Sequence, residues 1–463
     1  MSKFFCIYSS IILTLNNFFF DERYIYLIIL QIVLFIFSLK RINGLFLLLN
    51  PGFWFGLTWG LALISYCFLD AYDYVPVKNM DMLSWLFNIV IFSNFLFFVF
   101  SVFVRKKEGT DFFNNIKNTG SDQFCMIITI VVFLGGLINW VGVGMPIAYD
   151  DQLRQNWLTQ IPRVTAITWY LIFLIFPLAF YKGLKFFDEV GRKRIINILS
   201  IAVPCILWML STGGRQFFGF VILYYIIGLA VGLILQSNKT DFKIIAKKFF
   251  VSIFLIVFSF GLMASLTTAV RLEQQNSENT KMFETNKILS IYGYFIYYMG
   301  GTIMTTQAYG TPTLRDNKAV GIVSFNGVLD IFGPLSLYNV FGVERVTYKD
   351  TNPERDWAAS GQELAFGTRN VFYDLYADFG KENTYFVVFI LILFSQCLYI
   401  YVVKNNKRVG FISFSIFIFF VIYWIYSQQL SLLMHTQLKW TIYSFALWYF
   451  SYKFFKGIVR SQK

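Results

Sequence analysis

A chain of 463 residues that is 57% hydrophobic and 14% charged, with a mean hydropathy of +0.59, carries more apolar surface than a soluble fold of this length can bury. Its net charge of +13 would suit nucleic acid in a soluble protein, but here Lys and Arg gather in alternate short loops: Lys40-Arg41, Arg105-Lys106-Lys107, Lys182 to Arg194, Lys239 to Lys248, Lys404 to Arg408 and Lys453 to Lys463. That pattern follows the positive-inside rule, so the charge reports topology, the lipid bilayer is the solvent and nucleic acid is not an expected partner.

The first apolar stretch, Phe4 to Phe20, follows Lys3 and resembles a signal peptide in outline, yet Asn16, Asn17 and three Phe stand where a small-residue cleavage site would be. It reads as a retained first span. Runs suited to spanning helices then follow: with the first they cover residues 4–20, 24–39, 44–69, 82–104, 124–147, 166–181, 195–211, 216–236, 249–270, 384–403, 411–427 and 438–454. These make about twelve crossings, each near the length needed for a hydrocarbon core of about 30 Å. The expected fold is therefore an all-α, polytopic integral membrane protein. Both termini and every basic cluster lie on the cytoplasmic side.

Three regions result: residues 1–270 with the first nine spans, a large outer loop over 271–383, and residues 384–463 with the last three spans. Within the loop, Ile288 to Met304 is apolar enough to touch lipid, but a full crossing would break the charge pattern. It reads as an interfacial or re-entrant helix with tyrosines at headgroup level. Asn50-Pro51-Gly52 should disturb the third span near its start. The aromatic content, with 56 Phe and 28 Tyr, is expected mainly on lipid-facing surfaces and interface belts. Cys6, Cys67, Cys125, Cys205 and Cys397 fall in or beside apolar runs with no metal-binding spacing, so neither a disulfide nor a metal site is expected.

Ionisable residues on the outer side carry the candidate chemistry. Ser211-Thr212-Gly213-Gly214-Arg215 is a short turn after which Arg215 opens a helix. Free N–H groups and a guanidinium fork there suit a phosphate or diphosphate, and the same Arg serves equally well as an interface anchor. Arg271 follows the next span at the same boundary and is open to the same two readings; two guanidinium groups together can hold a diphosphate. The third cluster, Glu363, Arg369, Asp374 and Asp378, precedes a span. On a helix Asn370, Asp374, Ala377 and Asp378 share a face. A carboxylate there can act as general base toward a hydroxyl, or can simply be solvated or paired with Arg369. His435, the one histidine, lies in the last outer loop and is a further candidate base, as are Asp150 and Asp151 with less context.

The multi-spanning layout, the large late outer loop, the Ser211–Arg215 turn and the stretch Asn370-Val371-Phe372-Tyr373-Asp374-Leu375-Tyr376-Ala377-Asp378-Phe379-Gly380 together resemble the Wzy-type O-antigen polymerases, the oligosaccharide repeat-unit polymerases. The resemblance implies a glycosyltransferase at the periplasmic face of a bacterial inner membrane. It would join repeat units carried on undecaprenyl diphosphate, without a cofactor, in lipopolysaccharide or similar surface polysaccharide synthesis. A chain-length regulator is an implied partner. In that frame Asp378, Asp374, Glu363 and His435 are candidate catalytic residues, and Arg215, Arg271 and Arg369 bind the substrate diphosphate. Two alternatives stand beside it: a flippase exporting the lipid-linked oligosaccharide, which should carry charges inside its spans, and an O-antigen ligase, which would share the leaving group.

Overall fold

Backbone polar groups in hydrocarbon must be satisfied within the chain, and helices do this segment by segment. The computed structural model describes residues 2–19, 21, 23–71, 79–103, 113, 116–142, 171–212, 215–236, 299–304, 306–307, 370–404, 410–427 and 433–461, and among these there is no strand. The helices are α1 (Ser2–Phe19), α2 (Tyr24–Asn43) with a 3-10 turn over Gly44–Leu49, α3 (Pro51–Ala71), α4 (Met80–Ser101), α5 (Asp122–Gly142), α6 (Ile175–Lys185), α7 (Arg192–Thr212), α8 (Arg215–Gln236), α9 (Val371–Phe379), α10 (Lys381–Lys404), α11 (Phe411–Tyr426) and α12 (Leu433–Ser461). Six segments among the described residues are long and apolar enough to cross a membrane: Tyr24–Leu49, Pro51–Asp70, Met80–Ser101, Asp122–Gly142, Phe217–Gln236 and Lys381–Lys404. The chain is a helical protein of membrane-spanning character. The stretches 249–270 and 308–369 lie outside the described residues.

Asn50-Pro51 divides what the hydropathy joins into one run. Pro51 is the first residue of α3, where its missing N–H costs nothing, and the preceding residues tighten into the 3-10 turn.

The helices fall into two units. The first comprises residues 1–108, 293–404 and 419–439. Here α2 packs on α1, α3 and α4, and α10 packs on α4. Lipid offers apolar helices no hydrophobic incentive to associate, so close packing and interhelical hydrogen bonds hold them. Asn50, fully buried, is one such junction. Its Nδ2 donates to Asn43 Oδ1 at 3.1 Å and Ser101 Oγ at 2.8 Å, and its Oδ1 accepts from Gln396 Nε2 and the Gly52 amide, both at 2.9 Å. A second chain runs from Asn94 Nδ2 to Gln31 Oε1 at 3.0 Å and from Gln31 Nε2 to Ser9 Oγ at 3.2 Å.

The second unit comprises residues 109–292, 405–418 and 440–463. Its tightest contact is between α6 and α8. A Cβ on Gly183 would lie 2.3 Å from the Tyr225 carbonyl oxygen, and one on Gly228 would lie 2.1 Å from that of Phe180, so each glycine admits the other helix's backbone. At the end of α6, Lys185 Nζ donates to Asp122 Oδ1 at 2.8 Å, and Lys117 pairs with Asp188.

The aromatic residues depart from the expected lipid-facing role. Phe4, Phe18, Phe386, Phe450 and Phe454 are exposed, but Trp59, Trp208, Trp424, Trp448, Tyr66, Tyr224, Tyr399 and Tyr423 are among the largest fully buried side chains. Broad rigid rings give helices in lipid the van der Waals area that association needs.

Candidate functional site

Helix α9 is set by its ends. Asn370 is extended, with φ −77° and ψ 162°, and its Oδ1 accepts the Tyr373 amide at 2.9 Å, closing the N-terminus. Asp374 sits in the first turn, where a negative charge complements the helix dipole. At the other end Gly380 adopts φ 82° and its amide returns to the Tyr376 carbonyl at 2.8 Å, after which α10 begins.

The nine residues between are almost entirely enclosed. Asp374 is 3% exposed and Asp378 4%, one turn apart on one face. Phe372 packs against Trp59 and Phe55 with ring centroids 5.4 and 6.1 Å apart, and Tyr376 meets Trp85 edge-on at 4.9 Å. Two buried carboxyl groups at i and i+4 are a placement that packing alone does not call for, since each needs polar partners to offset its desolvation.

Three segments hold α9 within the first unit. The Val371 amide donates to the Ser427 carbonyl at 2.8 Å. Ser427 Oγ accepts the indole N–H of Trp59 at 2.9 Å and donates to the Trp424 carbonyl at 2.9 Å. Asn370 Nδ2 donates to Thr306 Oγ1 at 2.5 Å, and Gln307 Nε2 donates to the hydroxyl of Tyr66 at 2.8 Å. Thr302, Ile303, Met304, Thr306 and Gln307 are all buried. The described end of the expected interfacial segment, residues 299–304, and residues 306–307 beyond it are therefore tucked against α3; the tyrosines at 292, 294, 297 and 298 lie outside the described residues.

No protein-family model, curated protein or solved structure matches the chain.

The structure places the sequence candidates unequally. Asp374 and Asp378 share the buried face of α9. His435 stands in the first turn of α12 rather than in a loop, in the same unit, eight residues after Ser427. Arg215 is the first residue of α8 and belongs to the second unit; Gly213 and Gly214 lie outside the described residues. Glu363, Arg369, Arg271, Asp150 and Asp151 lie outside the described residues.

Sequence reasoning missed Asn370 as a cap, although an Asn ahead of an apolar stretch with an acid in its first turn is a legible start signal. It also missed Thr306, Gln307, Tyr66, Trp59 and Ser427. Nothing local marks these, because each acts through a residue distant in the chain.

Proposed function

We propose that this chain is a membrane glycosyltransferase that polymerises oligosaccharide repeat units carried on undecaprenyl diphosphate, working at the outer face of a bacterial inner membrane. The observation that carries this reading is the burial of Asp374 and Asp378 on a short capped helix directly before α10. Ionisable groups embedded in a membrane protein are expensive and are kept for chemistry or transport.

In the reaction a hydroxyl at the non-reducing end of one lipid-linked unit attacks the anomeric carbon of the donor chain. The new C–O bond forms as the bond from that carbon to the diphosphate breaks. The hydroxyl proton passes to a carboxylate of Asp374 or Asp378, with Glu363 and His435 as the other candidate bases, and undecaprenyl diphosphate leaves with the electron pair. The departing diphosphate calls for cationic stabilisation, and Arg369, directly before Asn370 in the chain, is the candidate for it.

The test is reconstitution of the purified chain in proteoliposomes with lipid-linked repeat units extracted from a strain lacking it. Products of two or more repeats are expected. Translocation of single units without lengthening would instead indicate a flippase, and transfer only to a lipid A core acceptor would indicate a ligase.

A further inference from the structure

A helix as short as α9 is not stable in isolation, so its rotation and depth are set from outside. Asn370 is fully buried and uses both ends of its carboxamide: Oδ1 caps α9 through the Tyr373 amide, and Nδ2 reaches Thr306 Oγ1 at 2.5 Å. Thr306 in turn donates its hydroxyl hydrogen to the Thr302 carbonyl at 2.8 Å, which leaves its oxygen oriented as an acceptor. The segment carrying Thr306 is itself referenced to α3. A Cβ on Gly300 would lie 2.8 Å from the Tyr66 amide nitrogen, and Gln307 is bonded to the Tyr66 hydroxyl.

We propose that Asn370 and Thr306 are positioning residues, whose hydrogen bond locks the azimuth of α9 and so fixes where Asp374 and Asp378 present their carboxyl groups. The inference rests on the polymerase reading for its catalytic consequence, but the lock itself does not depend on it. A carboxyl group stands about 5 Å from the helix axis, so a turn of about 20° would move it by about 2 Å. Misplacement by about 1 Å is enough to cost a reaction about 100-fold.

The test compares Thr306→Val, which keeps the side-chain shape and removes the hydroxyl, with Thr306→Ser, which restores it. Chain extension of extracted lipid-linked repeat units is measured in proteoliposomes, alongside amide hydrogen exchange over residues 371–379. Thr306→Val is expected to lose tenfold or more in kcat with KM within twofold, and to exchange faster in that segment. Thr306→Ser should stay within twofold of the parent on every readout. Should Thr306→Val fail to fold, Asn370→Ser replaces it, since serine still caps the helix but is too short to reach Thr306, and the same losses are expected. Equal exchange and equal kcat in the hydroxyl-lacking and hydroxyl-bearing variants overturn the lock. If the parent chain extends no lipid-linked unit, the polymerase reading fails, and the exchange comparison alone decides the lock.

Discussion

The indole N–H of Trp59 donates to the hydroxyl of Ser427 at 2.9 Å, joining α3 to the end of α11 at the point where the α9 backbone is also attached. Both residues are fully buried, so neither group has water as a substitute. Ser427→Ala strands the indole donor and is expected to cost about 1–3 kcal/mol, while Trp59→Phe removes the donor and leaves the hydroxyl its bond to Trp424. The double variant should be less destabilised than the sum of the two singles, measured as unfolding midpoints in detergent micelles. Strict additivity would show that the bond contributes nothing.

The buried acids give the most direct functional prediction. Asp374→Asn and Asp378→Asn preserve side-chain volume but replace one carboxylate oxygen with an NH2 donor and remove the proton acceptor. The variant at the true base should lower chain extension by about 100-fold or more. The other should lose much less, and both should accumulate in the membrane as the parent does. Parent-like surface polysaccharide length in cells carrying both substitutions would remove α9 from the catalytic account.

The α6 and α8 interface predicts a sharp positional contrast. Gly228→Leu must force its side chain into the Phe180 carbonyl, whereas Gly457 in α12 has nothing within 4 Å of a Cβ. The first is expected to cost about 3 kcal/mol or more and to reduce membrane accumulation. Gly457→Ala should be neutral or slightly stabilising. Comparable yields and melting midpoints for the two would mean that the close approach of these backbones is not required.

Lys185 predicts a response to alkali. Burial pulls its pKa down, but its hydrogen bonds to Asp122 and Tyr181 outweigh that, and the ammonium is held above its ordinary value. A folded pKa raised above the unfolded value, which lies near about 10.4, gives stability that is complete below that pH. The contribution is lost as pH rises through the folded pKa. Lys185→Gln should therefore narrow the gap to the parent protein as the melting midpoint is followed above about pH 10.4. A gap that widens there would contradict the assignment.

How much of this was legible follows from what each feature depends on. The apolar runs at 24–39, 82–104, 216–236 and 384–403 reappear as α2, α4, α8 and α10, because a stretch of that length without water can satisfy its backbone in one way. The ends were less legible: α2 continues through Lys40 and Arg41 to Asn43, and the two basic residues stand in its last turn, where positive charge complements the helix dipole. The helix that Arg215 opens could be read from the glycines before it, which lie outside the described residues. The shared face of Asp374 and Asp378 could be read from spacing, but their burial could not. It depends on Thr306 and Gln307, on α3 and on Ser427, and these are brought to α9 only by the tertiary fold.

The Asn50 junction has a consequence for function that lies beyond stability. Apolar cylinders in lipid can spin about their long axes at little cost, since one greasy face is much like another. A carboxamide that meets Asn43, Ser101, Gln396 and the Gly52 amide in fixed directions removes that freedom at once for α2, α3, α4 and α10. It works as a keyway does on a shaft. Because α9 leads directly into α10, the heading of the acid-bearing helix is indexed, through a few hydrogen bonds far along the chain, to the bend at Pro51.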